Sequence, residues 1–160
     1  MSSAPIHVLL IEDNPGDARL LRALLQETGS TQFELVHAER FSEALTRLSE
    51  RRFDVVLLDL SLPDAQGIET ISRLGGQAEG TPIVILTGLN DEEIAIRALQ
   101  QGAQDYLVKG QVDGQLLARA LRYSIERHKA EESLKARNRE LMVLRKISEA
   151  ILASLDLNSV

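Results

Sequence analysis

The stretch Val55-Val56-Leu57-Leu58-Asp59 decides the fold, because it is a short, continuous apolar run that stops at a carboxylate. Three further apolar runs stop at polar residues in the same way: Ile6–Ile11 before Glu12-Asp13, Ile83–Leu86 before Thr87, and Leu107-Val108 before Lys109. Short apolar runs with helical patterns between them are typical of buried parallel strands. The polar ends of these strands are expected at one edge of the sheet, where open α/β sheets bind their ligands.

Strand and helix signals alternate five times, which predicts an α/β fold with a doubly wound, five-stranded parallel sheet. The predicted strands are Ile6–Ile11, Phe33–Val36, Phe53–Asp59, Ile83–Leu86 and Asp105–Lys109. The expected helix N-caps are Asn14, Ser42 and Asn90 (with Glu93 completing a capping box), and the expected helix ends are Gly29, Gly75-Gly76 and Gly102. Analogy with other doubly wound sheets gives the strand order 2-1-3-4-5.

Composition narrows the class of protein. The 160 residues carry a formal net charge of −6, which argues against non-specific nucleic-acid binding. The absence of cysteine excludes disulfides, thiolate zinc sites and a cysteine nucleophile. No apolar stretch approaches the roughly 18 residues of a membrane span, and the N-terminus lacks the regions of a signal peptide. We therefore expect a cytoplasmic protein with no membrane insertion.

Three carboxylates are predicted at the functional edge of the sheet: Glu12, Asp13 and Asp59. Clustered carboxylates repel and raise each other's pKa unless a cation joins them. Mg²⁺ suits a site of few carboxylates that also retains waters and phosphate oxygens. Asp59 is the candidate centre, because a carboxylate can act as a nucleophile and carry a covalent phosphoryl group.

Three further residues fit phosphoryl binding. Lys109 is a point charge that can contact a phosphoryl oxygen, and the Thr87 hydroxyl can donate a hydrogen bond to another. Gly88 leaves room for the group to enter. Each residue alone has an ordinary structural explanation, such as a strand-end cap or a surface charge. Their joint occurrence at four strand ends is what favours a phosphoryl-transfer site.

The chain resembles the receiver domain of two-component response regulators over about residues 6–127. The segments that carry the resemblance are Glu12-Asp13-Asn14, Asp59-Leu60-Ser61-Leu62-Pro63-Asp64-Ala65-Gln66-Gly67, Thr87-Gly88, Tyr106 and Lys109. The resemblance implies a flavodoxin-like fold. It also implies that Asp59 takes a phosphoryl group from a sensor histidine kinase or a phosphotransfer protein.

The resemblance further implies the ligands of Mg²⁺ and the parts of a switch. Asp13, Asp59 and the Ser61 main-chain carbonyl would bind Mg²⁺ directly, and Glu12 would act through water. Thr87 and Tyr106 would form the switch, with the hydroxyl moving to the phosphoryl oxygens while the aromatic ring turns inward. One position departs from the family pattern, because Gly110 stands where a proline usually follows the lysine.

The last predicted helix opens near Asp113 and runs to about Leu155 without proline, and without glycine after Gly114. We expect a receiver domain at residues 1–127 and a coiled-coil signalling helix at 128–160, truncated before a further domain. The predicted heptad seam, which favours a homodimer, consists of Ala130, Leu134, Arg137, Leu141, Leu144, Ser148, Ile151 and Leu155. The apolar segment Ile147–Val160 is similar to the lead-in of GAF sensory domains.

Three other functions compete with the phosphoacceptor interpretation. A receiver-like scaffold would use the fold without phosphorylation, which the complete acid set and Lys109 disfavour. A haloacid-dehalogenase-type phosphatase needs a second aspartate two residues after the nucleophile, where Ser61 stands. A flavin- or nucleotide-binding domain, like a kinase, lacks support because no glycine-rich phosphate loop follows the first strand. We therefore expect no enzyme activity beyond self-phosphorylation and self-dephosphorylation at Asp59.

Overall fold

The computed structural model describes residues 4–29 and 31–158. Five strands alternate with five helices along the chain. The strands are β1 (Ile6–Ile11), β2 (Phe33–Ala38), β3 (Val55–Asp59), β4 (Ile83–Thr87) and β5 (Asp105–Val108). The helices are α1 (Pro15–Gln26), α2 (Phe41–Glu50), α3 (Glu69–Gln77), α4 (Glu92–Gln100) and α5 (Gly114–Leu157). The alternation confirms the predicted βα repeats.

The five strands form one parallel sheet in the order β2-β1-β3-β4-β5, as predicted. The register pairs Ile11 of β1 with Leu58 of β3, so the residues that follow them, Glu12 and Asp59, lie side by side at this end of the sheet. On the other side, Thr87 of β4 pairs with Val108 of β5. The carboxyl ends of four strands therefore meet at one edge.

Helices cover both faces of the sheet, so alternate strand residues enter two separate apolar layers. One layer packs Leu9, Ile11, Val56 and Leu58 against α2 and α3. The other layer contains the intervening strand residues Val8, Leu10, Val55 and Leu57, with side chains from α1 and α5. Every residue of β3 and β4 is buried, which explains why these strands read as unbroken apolar runs.

Helix α1 begins as the sequence predicts. The Asn14 side chain accepts hydrogen bonds from the main-chain N–H groups of Gly16 and Asp17, at 2.9 and 3.1 Å. Pro15 occupies the first turn, where its missing N–H costs nothing. This cap fixes the direction in which the chain leaves Glu12.

Besides Gly29, which lies beyond the end of α1 at Gln26, three predicted helix boundaries are wrong. Arg40, not Ser42, is the N-cap of α2, and its side chain makes no capping hydrogen bond. Asp91, not Asn90, precedes α4, so Glu93 has no capping box to complete and instead contacts Arg97. The third error is at Gly75-Gly76, which do not end α3: the helix continues to Gln77 because Ile71 and Leu74 bury its preceding turns.

The N-terminus of α2 is capped from a distant loop. The Asp64 carboxylate accepts hydrogen bonds from the N–H groups of Phe41 and Ser42, at 2.8 and 3.0 Å. Loss of water around Asp64 would by itself raise its pKa, but these hydrogen bonds outweigh that effect and lower the pKa. The contact ties the loop that follows β3 to the start of α2.

The chain divides into two compact units, one ending at His128 and one beginning at Lys129. Within the first unit, α5 buries Leu117, Leu121 and Ile125 in the second apolar layer. The Asp113 side chain accepts a hydrogen bond from the Leu116 N–H at 2.7 Å and so caps the helix, which opens at the predicted place.

The second unit is a single helical segment, described as far as residue 158. Its large apolar side chains are more than half exposed: Leu134, Leu141, Met142, Val143, Leu144, Ile147, Ile151, Leu152, Leu155 and Leu157. Among the described residues, no helix is both long and apolar enough to cross a membrane.

The Asp64 cap predicts a pH-dependent contribution to stability. Asp64→Ala should lower the free energy of unfolding by about 1 kcal/mol at pH 7, as loss of an N-cap does. The folded-state pKa of Asp64 lies below its ordinary value of 3.8, so the contribution is present above that pH and is lost as the pH falls. Urea unfolding at several pH values should show the wild-type and Ala stabilities converging in acid. Asp64→Asn, which keeps an acceptor oxygen, should cost less; a pH-independent deficit would contradict the account.

Candidate functional site

Asp59 ends β3 at the edge where the polar residues meet, and it is only 6% exposed. Its Oδ1 accepts a hydrogen bond from the Ser61 main-chain N–H at 3.0 Å. Its Oδ2 accepts one from Lys109 Nζ at 3.0 Å. Both carboxylate oxygens are therefore oriented, one by the following loop and one by a charge from β5.

The Lys109 ammonium lies among three carboxylates. Its Nζ is 2.7 Å from Glu12 Oε2, 3.0 Å from Asp59 Oδ2 and 3.2 Å from Asp17 Oδ2. The main-chain N–H of Lys109 donates to the Thr87 carbonyl at 2.8 Å, which holds the lysine backbone against the end of β4. The predicted proximity of Lys109 to Asp59 and Glu12 is present in the structure.

Asp17 is the site residue that the sequence analysis missed. It lies in the first turn of α1, three residues after the Asn14 cap, and reaches Lys109 across 92 positions of sequence. An acidic residue in a first helical turn is commonly a simple helix-dipole partner, so the sequence carried no specific signal for this contact.

Glu12 is completely buried, and its environment raises the pKa of its carboxyl group. Burial is the main cause that raises its pKa to about 7, and the nearby Asp59 carboxylate adds to it, while contact with Lys109 opposes it. Burial would lower the pKa of Lys109, but its contacts with Glu12 and Asp59 outweigh this and raise it. Both directions follow from two buried carboxylates sharing one ammonium.

The second oxygen of Glu12 is only partly satisfied. Its Oε1 accepts a hydrogen bond from the Asn14 N–H at 3.1 Å. Its Oε2 is close to Lys109 but lacks a well-oriented hydrogen bond. A buried carboxylate oxygen with only an ion-pair contact can still accept a water or a cation-bound water.

Glu12, Asp13 and Asp59 form a group that fits a hard cation. Each offers a carboxylate oxygen, and these oxygens lie within 4.8 Å of one another. Asp13 is exposed whereas the other two are buried, so a cation held here could keep waters on its open side. Oxygen ligands with retained water are what Mg²⁺ prefers. Ser61 follows the same strand, and its main-chain carbonyl remains a predicted ligand.

Thr87 and Tyr106 lie on the β4–β5 side of the site. Thr87 is 5% exposed, and its hydroxyl donates to the Leu107 carbonyl at 3.3 Å. Tyr106 is half-buried and packs against the apolar layer that contains Ile85. The Thr87 hydroxyl is thus engaged with the β5 backbone next to Tyr106.

A cavity of about 430 Å³ opens over Asp59. Thr87, Gly88, Lys109 and Ser61 line it together with the Asp59 carboxylate. The cavity brings the predicted phosphoryl-binding residues together around the predicted nucleophile, and it has room for a phosphoryl group above the carboxylate.

Comparison with known proteins identifies the family. Residues 8–121 match the response regulator receiver domain. The chain belongs to the response regulator receiver family. This membership assigns it to two-component signalling and favours the receiver interpretation over the phosphatase and nucleotide-binding alternatives. Receiver domains bind Mg²⁺ in an acidic pocket, which is the place of Glu12, Asp13 and Asp59 in this receiver.

Its curated relatives include transcriptional regulators. The receiver is 40% identical over 124 residues to the KDP operon transcriptional regulatory protein KdpE of Escherichia coli K12, covering 78% of this chain and 53% of KdpE. It is 31% identical over 109 residues to the transcriptional regulatory protein ZraR of Klebsiella oxytoca, covering 68% of this chain and 24% of ZraR. The chain thus spans about half or less of the length of these relatives.

Solved receiver structures share the fold. A response regulator receiver domain protein from Clostridium thermocellum is 29% identical with a TM-score of 0.68, covering 78% of this chain and 98% of that one. The signal receiver domain of an HD domain-containing protein from Pseudomonas fluorescens Pf-5 is 27% identical with a TM-score of 0.70, covering 83% and 96%. The predicted flavodoxin-like receiver fold is confirmed.

Proposed function

We propose that this receiver is the phosphoacceptor of a phosphorelay, with Asp59 taking the phosphoryl group from a phosphohistidine on a sensor histidine kinase or phosphotransfer protein. One observation carries the proposal: the buried Asp59 carboxylate faces a cavity and contacts the only ammonium group among the residues that line it. An aspartate placed merely as a strand-end cap would need neither the lysine nor the cavity.

The transfer uses the two oriented oxygens of Asp59. One oxygen attacks phosphorus, the P–N bond to the donor imidazole breaks, and its electron pair stays on that ring nitrogen. In the proposal, Lys109 and Thr87, which line the cavity, stabilise the charge on the phosphoryl oxygens, and Gly88 leaves room for the group to enter. Hydrolysis of the resulting acyl phosphate by water regenerates Asp59.

Glu12, Asp13 and Asp59 are the proposed Mg²⁺ ligands, with the Ser61 carbonyl as a further one. When bound, Mg²⁺ supplies charge neutralisation between these carboxylates and the phosphoryl oxygens. Asp13 and Asp59 contribute direct oxygen contacts in the proposal, and the buried Glu12 orients a water through its partly satisfied Oε2. The donor set contains oxygen atoms only, which suits this ion.

Intact mass measurement after incubation with acetyl phosphate and Mg²⁺ tests the proposal. The wild type should gain one phosphoryl group, and Asp59→Asn should gain none because its amide is a poor nucleophile. Asp54→Asn is the matched control, since Asp54 directly precedes the same strand, accepts a hydrogen bond from the His7 N–H and does not line the cavity. An adduct on Asp59→Asn, or none on the wild type, would overturn the assignment and favour the unphosphorylated scaffold.

The proposed switch follows from the Thr87 hydrogen bond. In the structure the Thr87 hydroxyl donates to the Leu107 carbonyl, next to Tyr106. A phosphoryl oxygen on Asp59 competes for that one hydroxyl proton. Rotation toward the phosphoryl group frees space beside β5, and Tyr106 is the aromatic side chain that can turn inward there. Phosphorylation shifts the equilibrium between the two positions of Thr87 and Tyr106 only as far as the phosphoryl group interacts more favourably with one of them.

Tyrosine fluorescence can test this switch, because the chain has two tyrosines and no tryptophan. In a Tyr123→Phe background, beryllofluoride with Mg²⁺ should change the emission of the remaining Tyr106. Adding Thr87→Ala should remove at least half of that change while beryllofluoride still binds. Thr46→Ala, an exposed threonine on α2, is the control and should leave the change intact. A full response in the Thr87→Ala protein would contradict the proposed coupling.

We also propose that the helical segment beyond residue 128 pairs with a second copy of the chain. Its seam residues Leu134, Leu141, Leu144 and Ile151 are each more than half exposed, and they follow one another at spacings of seven, three and seven residues, as a heptad seam requires. A helix this polar is marginal alone in water, and pairing buries the apolar stripe. The receiver would then pass its state along this helix to an output domain.

Sedimentation equilibrium tests the pairing with two neighbouring substitutions. The wild type should approach twice the 17.7 kDa chain mass at micromolar concentration. Leu141→Asp, on the seam, should shift the protein to monomer, whereas Met142→Asp, one residue off the seam and equally exposed, should shift it far less. A concentration-independent wild-type monomer would contradict the dimer, and equal effects of the two variants would contradict the seam.

A further inference from the structure

Four residues that follow β1, begin α1 and follow β5 form a closed ring of polar contacts. Glu12 Oε1 accepts from the Asn14 N–H, and Asn14 Oδ1 accepts from the Asp17 N–H, both at 3.1 Å. Asp17 Oδ2 then accepts from Lys109 Nζ, and Lys109 returns to Glu12 through its 2.7 Å ion pair. The ring couples the loop after β1 to the lysine that faces Asp59.

The Lys109 ammonium is surrounded by carboxylates: it donates hydrogen bonds to Asp17 and Asp59 and makes a close ion pair with Glu12. An ammonium group carries three N–H bonds. In the structure it faces three carboxylates, one each from Glu12, Asp17 and Asp59. A phosphoryl oxygen that approaches Lys109 therefore competes with these three carboxylates for the ammonium group.

The solvent exposure of each carboxylate indicates which of the three contacts with Lys109 can be broken at the lowest free-energy cost. The side chains of Glu12 and Asp59 are 0% and 8% exposed, whereas that of Asp17 is 42% exposed. A buried carboxylate left unpaired pays a large desolvation cost, while an exposed one is taken up by water. The Asp17 contact is also the longest of the three, at 3.2 Å.

The other two contacts hold the lysine in place without Asp17. Gly110 follows Lys109 with a φ of +84°, a conformation that only glycine adopts readily. Gly110 contributes no side chain next to the ammonium, whereas the surrounding carboxylates contact it directly. Glu12 at 2.7 Å and Asp59 at 3.0 Å still direct the ammonium toward the cavity after Asp17 is released.

We propose that Asp17 is the exchangeable partner of Lys109: it accepts a hydrogen bond from the ammonium while Asp59 is unmodified and yields that donor to the phosphoryl oxygen. Asp17 is a positioning residue that acts through Lys109, and the proposal rests on the phosphoacceptor function of Asp59. Phosphorylation would open the ring at the first turn of α1, so that this helix receives the signal separately from Thr87 and Tyr106.

If Asp17 and the phosphoryl group compete for Lys109, removing the Asp17 carboxylate should tighten the binding of a phosphoryl mimic. With beryllofluoride and Mg²⁺ on the full chain, Asp17→Asn should bind about three- to fivefold more tightly than the wild type, the range expected for losing a partly exposed ion pair. Asp17→Glu, which keeps the carboxylate, should stay within about twofold of wild type. Glu27→Gln removes one charge from the C-cap end of the same helix and should have no effect, so it controls for long-range charge.

A spectroscopic readout distinguishes exchange from a structural role. The carboxyl ¹³C resonance of Asp17, assigned by its disappearance in Asp17→Asn, should shift when wild type binds beryllofluoride with Mg²⁺. Two results would overturn the exchange: unchanged or weaker mimic binding by Asp17→Asn, or an unperturbed Asp17 resonance in the saturated wild type. The unperturbed resonance is also what release of Glu12, instead of Asp17, would give. Failure of wild type itself to bind the mimic would overturn the phosphoacceptor function rather than the role of Asp17.

Discussion

The structure depends on the balance between one ammonium group and the carboxylates that surround it. Four parallel strands end at one edge of the sheet, and the register places Glu12 beside Asp59. Two buried carboxylates at this distance repel strongly, and burial adds a cost for each charge. Lys109 offsets that cost by contacting both, while the open cavity and exposed Asp13 leave room for a divalent cation. Lys109 therefore neutralises part of the negative charge, which allows the site to fold. The remaining negative charge favours Mg²⁺, which in turn would offset the charge of a phosphoryl group.

The residues around Asp59 contact two separate parts of the fold. On one side, the Thr87 hydroxyl is shared between the β5 backbone and the proposed phosphoryl group. On the other side, Lys109 is shared between the site and Asp17 of α1. In both places a phosphoryl group on Asp59 would compete with acceptors that the hydroxyl or the ammonium already contacts, so we expect modification of Asp59 to change a contact in the surrounding structure. That competition gives a small chemical change two structural consequences.

The strands, their order and the residues at their ends could be predicted because each strand is a local apolar run whose last residue is polar. Asp17 and Asp64 could not, because their partners lie far along the chain and only the folded topology brings them together. The same reason explains the errors at Ser42 and Asn90, where local capping preference suggested helix starts that tertiary contacts did not use. Gly75-Gly76 failed as a helix end because packing of Leu74 stabilised the final turn despite unfavourable propensity. Local pattern thus predicts the scaffold and its carboxylates, whereas long-range polar contacts require the fold.

The most direct test of the central claim is the stability of Lys109→Met with and without Mg²⁺, measured by urea unfolding. In chelator, loss of the ammonium should lower the free energy of unfolding by on the order of 2 kcal/mol, since it leaves buried carboxylates without their counter-charge. Mg²⁺ should recover part of that loss by supplying positive charge to the same oxygens. The control is Lys135→Met, which replaces an exposed lysine paired with Glu132 and should be as stable as wild type in both conditions. A Lys109→Met protein as stable as wild type in chelator would contradict the claim that this ammonium balances the site.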